Sequence, residues 1–292
     1  MRLHGRLPLG YHYFWGRFFS WLMGSVLRYR RDVVITNLSR SFPDKKYHEI
    51  KALARAFYGR LGRIAAEVFW FSACRGEKGV ERFRRSGLVR TADTSVINSL
   101  LDQGRPVIIF SGHTGNWELL GGFFNAPMGE PFHTGPEDIA VVYHGLSDGT
   151  WGQVFEDNRT ALVAHTDFDG YVESGRILRF ALRHRDRTMV YVFPNDQAPY
   201  RGATPHEVGT FMNQPTRCMA GGANLASRLG MAIAYMRWTV TPEGCYDVSY
   251  DLITPDASTM PVEDIIRKYY DLLEADINAQ PWNYLWSHKR WK

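Results

Sequence analysis

The sequence is poor in the residues and spacings that define several classes of protein. Its 292 residues include three cysteines, Cys74, Cys218 and Cys245, which are far apart and odd in number. It contains no Cys-x-x-Cys and no His-Glu-x-x-His, the common spacings of zinc ligands. The cysteines therefore indicate reduced structural thiols, and no metal ion or other cofactor is expected.

Long uninterrupted apolar runs are also missing. The mean hydropathy is -0.31, although 45% of the residues are hydrophobic. This balance excludes a polytopic membrane protein and still provides enough apolar residues for a large core. With no linker, repeat or low-complexity tract, the chain predicts one large catalytic domain.

Acidic residues are scarce in the N-terminal third. Residues 1–90 contain 19 Lys and Arg against 6 Asp and Glu, whereas residues 91–292 contain 16 against 24. Such an asymmetry predicts an acidic partner, namely lipid headgroups, nucleic acid or an acidic protein. A solvated basic face without a partner is the alternative.

The most aromatic stretch is LGYHYFWGRFFSWLMGSVL, residues 9–27. A membrane-spanning helix needs about 20 apolar residues with few charges, but His12 and Arg17 interrupt this one. Aromatic residues combined with flanking arginines are typical of a helix that lies in the membrane interface. We therefore expect residues 1–28 to be an interfacial membrane-anchoring segment and residues 29–292 to be the catalytic domain. An amphipathic helix buried on the core is the alternative.

The remaining pattern predicts an α/β fold. A turn at Pro43-Asp44 precedes a long helix with apolar residues at helical spacing. From about residue 105, short β-rich runs alternate with helical runs, which predicts a mainly parallel central sheet flanked by helices. The predicted strands are 106–111, 139–143, 160–165, 188–193, 231–238 and 246–253, the last two forming an antiparallel edge pair. The predicted helices are 94–103, 116–125, 170–184, 217–229 and 262–277.

Two His-x4-Asp/Glu pairs occur, His113 with Glu118 and His133 with Asp138. His113 directly follows an apolar strand, where α/β folds place their ligand sites. Gly115 permits a tight turn behind it. His133 lies in a loop rich in Gly and Pro, and we interpret it as a decoy.

A His oriented by a carboxylate is suited to general-base catalysis. We expect Glu118 to reach back to the His113 imidazole from the first turn of a helix. No protein nucleophile is predicted, which favours direct transfer of an acyl group to a substrate hydroxyl. Three alternatives remain open: a capping or core histidine, a His/Glu thioester hydrolase, and a lipid-binding module without catalysis.

At these residues the sequence resembles the bacterial lipid A late acyltransferase family, the lauroyl/myristoyl acyltransferases with a His-x4-Asp/Glu block. The block itself is SGHTGNWELLG, and four other stretches share the resemblance: YRRDVVITNLSRSFPDK, PNDQ, GTFMNQPTRCMAGGANLASRLGMAI and the ending PWNYLWSHKRWK. The resemblance implies a glycerolipid-acyltransferase-like fold at the cytoplasmic face of the cell inner membrane, held there as a peripheral or monotopic protein. It also implies an acyl carrier protein as donor, a lipid A-type precursor as acceptor and no nucleic acid partner. Another lipid acceptor, a lysophospholipid or an aminolipid, is the alternative.

The resemblance also assigns roles to individual residues. His113 would be the general base and Glu118 its partner, and the substrate-binding residues would be Asn116, Arg159, Asp196 and Gln197. One departure concerns the acceptor headgroup. The family commonly has a basic residue and Pro after the Tyr of its second strand, whereas this sequence has His144 and Gly145.

Overall fold

The computed structural model of the protein describes residues 2–125, 128–144, 157–163, 166, 168–200 and 204–291. Its α-helices are α1 (Arg2–Gly5), α2 (Leu9–Trp21), α3 (Arg31–Ser41), α4 (Tyr47–Phe71), α5 (Gly76–Arg85), α6 (Ser95–Asp102), α7 (Ile177–Arg183), α8 (Gly221–Leu229) and α9 (Val262–Ala279). Its strands are β1 (Val89–Asp93), β2 (Val107–Ser111), β3 (Met128–Gly129), β4 (Ile139–Tyr143), β5 (Tyr171–Glu173), β6 (Val190–Pro194), β7 (His206–Phe211), β8 (Gln214–Cys218), β9 (Ala232–Val240) and β10 (Tyr246–Thr254).

Eight of these strands form one sheet in the order β3-β1-β10-β9-β2-β6-β4-β5. Neighbouring strands are parallel except β9 and β10, which are antiparallel. Strands β7 and β8 form a separate hairpin. The sheet confirms the predicted α/β class with a mainly parallel sheet flanked by helices.

Two predicted elements contain 3-10 turns in the structure. Residues 116–125 form only two short 3-10 turns, Trp117–Leu119 and Phe123–Asn125. Gly121 and Gly122 disfavour a helix here, and a Cβ on Gly121 would lie 2.6 Å from the Arg159 carbonyl oxygen. The run predicted as strand 160–165 contains a 3-10 turn, Ala161–Val163, while residues 164 and 165 lie outside the described residues.

The antiparallel pair β9–β10 is interior to the sheet, not at its edge as predicted. Strands β1 and β3 continue the sheet beyond β10. Strand β1 was not predicted because Val-Arg-Thr-Ala-Asp has little apolar character. The helix predicted over 170–184 also begins later, at Ile177, because β5 occupies residues 171–173.

Strand β2 lies in the interior of the sheet, between β9 and β6. All five of its residues are buried, and its side chains alternate between two cores. Ile108 and Phe110 pack with α3, α8, α9 and the first half of α4. Val107 and Ile109 pack with the end of α4, with α5 and with α6. The loop that follows β2 is therefore mounted on a strand that is buried on both faces.

Helix α2 packs along α4 through two glycines. A Cβ on Gly62 would lie 2.4 Å from the Gly16 carbonyl oxygen, and one on Gly16 would lie 2.7 Å from the Gly62 carbonyl oxygen. The opposite side of α2 carries exposed aromatic side chains, which we call the aromatic face: Tyr11, Phe14, Trp15, Phe18, Phe19 and Trp21. A π-helical turn, Leu22–Val26, continues the helix. Within the described residues, no helix combines the length and the apolar character needed to cross a bilayer.

Candidate active site

The strand register brings His113 and Asp196 together. Strands β2 and β6 are parallel neighbours, with Ser111 paired to Pro194. His113 and Asp196 each lie two residues beyond these strand ends, so they meet at the carboxyl edge of the sheet. The distance from His113 Nδ1 to Asp196 Oδ1 is 2.6 Å.

The hydrogen bonds of His113 define which ring nitrogen can act as a base. Asp196, as a carboxylate, accepts a hydrogen bond from Nδ1, which leaves Nε2 as the acceptor. The amide nitrogen of Gln197 lies 3.0 Å from Nε2 and donates to it. The side chain of His113 is 14% exposed and that of Asp196 is 2% exposed. The carboxylate is thus buried behind the ring, and Nε2 is engaged by Gln197, which lines the cleft.

The charge of Asp196 is maintained by its surroundings. Burial acts to raise the pKa of this carboxyl, but the charge and hydrogen bonds of His113, together with Arg290, outweigh it and lower the pKa. Asp196 is therefore ionised at neutral pH. An ionised Asp196 fixes the tautomer of His113 and stabilises the imidazolium that forms on proton uptake.

The C-terminal segment holds the loop of His113. Gly115 has φ +62°, and a Cβ on it would lie 2.6 Å from the Trp238 ring, so only glycine fits. Asn283 accepts a hydrogen bond from the Gly115 backbone N–H and donates to the Trp238 carbonyl oxygen. Thr114 pairs with Tyr284 through an isolated β-bridge. The Trp-rich ending is thus part of the scaffold of the site.

Glu118 contacts Arg159 instead of His113. Its oxygens accept hydrogen bonds of 2.7 Å from Arg159 Nε and 2.9 Å from Arg159 Nη2. Trp117 Nε1 donates to the same carboxylate at 3.0 Å. The expected reach of Glu118 back to the imidazole is therefore not observed, because residues 116–125 do not form a helix and a bidentate arginine engages both oxygens.

Arg159 is held in a fixed, charged state beside the cleft. Its Nη1 donates to the Tyr171 hydroxyl at 2.9 Å. Burial acts to lower its pKa, but the hydrogen bonds and charge of Glu118 outweigh it and raise the pKa. Arg159 therefore stays protonated and presents a fixed cation.

Asn116 lies behind the site, where it binds a buried carboxylate. Its Oδ1 accepts the Glu118 backbone N–H and caps the short turn, and its Nδ2 donates to Glu67 at 2.8 Å. Glu67 is fully buried and also accepts hydrogen bonds from Tyr13 of α2 and Tyr246 of β10. The sequence interpretation missed Glu67, although an acidic residue inside the apolar run of α4 is a signal that could have identified it.

The site opens into a cleft of about 350 Å³. His113, Trp117, Arg159 and Gln197 line it, and its walls are otherwise largely apolar, with Leu120, Val141, Ile177, Phe193 and Met219 among them. Of the predicted substrate-binding residues, Arg159 and Gln197 reach the cleft, whereas Asn116 and Asp196 lie behind it. The cleft therefore combines a base, a cation and an apolar wall.

The structure also places His144, one of the two residues that depart from the family pattern, and His133 of the decoy pair. His144 lines the cleft and stacks on Tyr200, while Gly145 lies outside the described residues. His133 contacts Asp102 at 2.9 Å on the surface, and its side chain is 47% exposed. It has no counterpart of the buried carboxylate behind His113.

One short motif was overlooked in the expectation that the chain contains no serine nucleophile. Residues 145–149 read Gly-Leu-Ser-Asp-Gly, which matches the Gly-x-Ser-x-Gly pattern of nucleophile elbows. These residues lie outside the described part of the structure. Ser147 is therefore a control position for any test of His113.

Comparison with known proteins identifies the family of the chain. The family model described as bacterial lipid A biosynthesis acyltransferase matches residues 1–292, the whole chain. A search of curated proteins gives no significant match. The family match confirms the resemblance seen in the sequence blocks around His113, Asp196 and the C-terminus. The chain belongs to the bacterial lipid A biosynthesis acyltransferase family and is an acyltransferase of that pathway.

Proposed function

We propose that the protein transfers a fatty acyl chain from the thioester of an acyl carrier protein to a hydroxyl of a lipid A-type precursor, with His113 as the general base. One observation carries this proposal: His113 lines the cleft together with Gln197, the hydrogen-bond partner of its Nε2, while its Nδ1 is fixed by the buried Asp196. A fixed, unprotonated nitrogen at the edge of a cleft is the requirement for proton abstraction from a bound hydroxyl.

The proposed reaction proceeds in two steps. The Gln197 amide first gives up its hydrogen bond to Nε2. His113 Nε2 then takes the proton of the acceptor hydroxyl as the hydroxyl oxygen attacks the thioester carbonyl, which forms the new C–O bond and an oxyanion. The oxyanion then collapses, the C–S bond breaks, and the imidazolium returns its proton to the leaving thiolate. Asp196 stabilises the imidazolium between these steps.

Arg159 is the best candidate to stabilise the oxyanion or to hold an acceptor phosphate. The backbone N–H groups of Glu118 and Leu119 donate to Asn116, so they are engaged within the short turn. Arg159 lines the cleft and is oriented by both oxygens of Glu118. A preorganised cation of this kind lowers the energy of a developing negative charge.

The apolar wall of the cleft suits a fatty acyl chain. Apolar side chains line the same cleft as His113, among them Leu120, Val141, Ile177, Phe193 and Met219. Burying methylene groups there contributes about 0.8 kcal/mol each. Binding of the chain would place the thioester carbon near the base.

The aromatic face of α2 supports attachment to the cytoplasmic face of the inner membrane. Phe14 is 60% exposed and Trp21 is 56% exposed, which is unusual for side chains of this size on a monomer surface. Aromatic residues combined with arginines on one helix are typical of interfacial binding. The same location would give the site access to a lipid acceptor.

Product analysis with defined donors tests this proposal. The full chain is incubated with acyl carrier protein thioesters of defined length and a tetra-acyl lipid A precursor, and the products are identified by mass spectrometry. We expect one added acyl ester and loss of the product in His113→Ala. Parallel reactions use the coenzyme A thioester, a lysophospholipid, or no acceptor.

Each reaction separates one alternative. Equal rates with coenzyme A would contradict the carrier-protein donor. Acylation of the lysophospholipid but not of the lipid A precursor would contradict the acceptor. Rapid release of free fatty acid that needs no acceptor would identify a thioester hydrolase and reject the transfer mechanism.

A further inference from the structure

A second cavity lies on the N-terminal helices, beside the aromatic face. It has a volume of about 630 Å³ and is formed by α2, α3 and α4 together with the π-helical turn. We call it the cationic groove, and its lining residues include Arg17, Trp21, Arg31, Lys51, Arg55 and Gly59. Of the described residues, none that lines it is acidic.

The arginines of the groove have no acidic partner among the residues that the structure describes. Other arginines of α4 and α5 do: Arg63 binds Glu67 at 3.0 Å and Arg85 binds Glu81 at 2.6 Å. In the described part of the chain, Arg17, Arg31 and Arg55 form no ion pair with an Asp or Glu. Three unpaired guanidinium groups around one cavity create a site of positive potential for an anion.

The groove and the aromatic face share a border. Trp21 belongs to both, since it lines the groove and is 56% exposed. Arg17 lies three residues after Phe14 and four before Trp21, so the three side chains project from one side of α2. An interfacial helix enters the boundary between headgroups and acyl chains by about 5–10 Å. Aromatic insertion would therefore carry the groove to the depth of the lipid phosphates.

We infer that the cationic groove binds the phosphate group of an anionic membrane phospholipid. Arginine suits this role because its planar fork of N–H groups can form two parallel hydrogen bonds to phosphate oxygens. The inference rests on the proposed membrane attachment, and it adds a specific headgroup site to what would otherwise be general adhesion. A neutral lipid surface lacks the net negative charge that this groove complements.

Vesicle binding of charge variants tests the inference. The full chain and the triple variant R17Q/R31Q/R55Q are sedimented with vesicles of phosphatidylcholine alone or of phosphatidylcholine mixed with phosphatidylglycerol. The triple variant R40Q/R185Q/R228Q removes the same charge from exposed positions elsewhere. We expect the groove variant to lose about a hundredfold in partition onto the anionic vesicles, from about 1 kcal/mol for each basic residue. The control variant should change by a few-fold at most.

Gly59 provides a second test that removes no arginine. A Cβ at this position would contact no atom within 4 Å, so a side chain can enter the groove without a clash. Gly59→Glu introduces a carboxylate among the arginines, and Gly59→Gln is the uncharged control of equal size. We expect Gly59→Glu to bind anionic vesicles about fivefold or more weakly than Gly59→Gln.

The possible results have distinct meanings. Equal losses in the two triple variants would mean diffuse charge attraction and would overturn the groove site. Unchanged vesicle binding with a raised KM for the acyl carrier donor would overturn it in favour of carrier docking. Failure of the wild-type chain to bind any vesicle would reject membrane attachment itself. An assay with detergent-dispersed substrates separates all of these from loss of catalysis, because the groove variants should retain wild-type kcat there.

Discussion

Asp196, and not Glu118, accepts the 2.6 Å hydrogen bond from Nδ1 of His113. Glu118 instead binds Arg159 through both oxygens, at 2.7 and 2.9 Å. The two acidic residues of the site thus have separate partners. One orients the imidazole, and the other positions a cation at the edge of the cleft. Their substitutions should therefore have different kinetic signatures.

Loss of the dyad should remove the chemistry with little effect on substrate binding. We expect His113→Ala to abolish transfer and Asp196→Asn to lower kcat about 10²–10⁴-fold, the usual range for general-base assistance. KM should change little, because Asp196 lies behind the ring and away from the cleft. Steady-state kinetics with a saturating acyl donor and varied acceptor concentrations would measure kcat and KM.

Two other residues serve as controls for this assignment. His133→Ala should be nearly silent, because His133 is on the surface beside Asp102. Ser147→Ala should also retain activity, since the proposed mechanism uses no serine. An inactive His133→Ala enzyme would mean that the wrong His pair was chosen, and an inactive, folded Ser147→Ala enzyme would indicate an acyl-serine intermediate.

Glu118 and Arg159 should act as one unit. A double-mutant cycle with Glu118→Gln and Arg159→Gln should give a coupling energy of about 0.5–3 kcal/mol in kcat/KM, the range for residues in direct contact. The double variant would then be scarcely worse than Arg159→Gln alone. Strict additivity of the two effects, with a large loss for Glu118→Gln, would support a separate role for Glu118 at the histidine.

His288 should make stability depend on pH in the weakly acidic range. Burial lowers the pKa of His288 from 6.5 to about 4, so between these values the unfolded chain binds a proton that the folded chain does not. The contribution of His288 to the free energy of unfolding is therefore fully present above pH 6.5 and is lost as the pH drops toward 4. Allowing for partial exposure, the loss is up to about 2 kcal/mol.

Urea unfolding between pH 4 and 7 would measure this loss. His288→Gln should flatten the dependence of the unfolding free energy on pH across this interval. If the wild-type and variant curves remain parallel, the imidazole of His288 is not protected from protonation in the folded state.

The contact between α2 and α4 should tolerate no side chain at Gly62. Gly62→Ala would place its Cβ 2.4 Å from the Gly16 carbonyl oxygen, and such overpacking typically costs about 1–3 kcal/mol. Gly59→Ala is the matched control on the same helix, because its Cβ meets no atom within 4 Å. That control should raise stability by up to about 1 kcal/mol through helix propensity. Thermal unfolding of both variants should move the midpoints in opposite directions, and two equal shifts would contradict the close packing.

The sequence predicted His113 correctly as a residue at a strand end, but it could not predict which carboxylate faces it. That partner depends on which strands are neighbours. Ser111 is paired with Pro194 in adjacent strands, and the other neighbour of β2 is β9. Local spacing contains no information about this strand order. Glu118, which follows His113 by five residues in the sequence, was therefore predicted as its partner in place of Asp196, which follows it by 83 residues.

The errors in secondary structure have similar physical causes. The predicted helix 116–125 is replaced by turns because the Arg159 backbone lies against Gly121, a tertiary contact that helical periodicity cannot indicate. The aromatic segment 9–27 was predictable as a helix from its composition. Its attachment to α4 through Gly16 was not, since a glycine within a helix carries no signal of the surface that covers it.

Glu67 connects the aromatic helix α2, the proposed membrane-binding element, with the loop that contains His113. This single carboxylate accepts hydrogen bonds from Tyr13 on the aromatic helix and from Asn116 in the block that contains His113. A shift of α2 would remove the Tyr13 hydrogen bond from Glu67 and leave Arg63, Asn116 and Tyr246 as its donors, so the position of Asn116 behind His113 would be disturbed. Detergents that pull α2 away from α4 would thus slow turnover even with dispersed substrates. The catalytic rate would then report on the contact between these two helices.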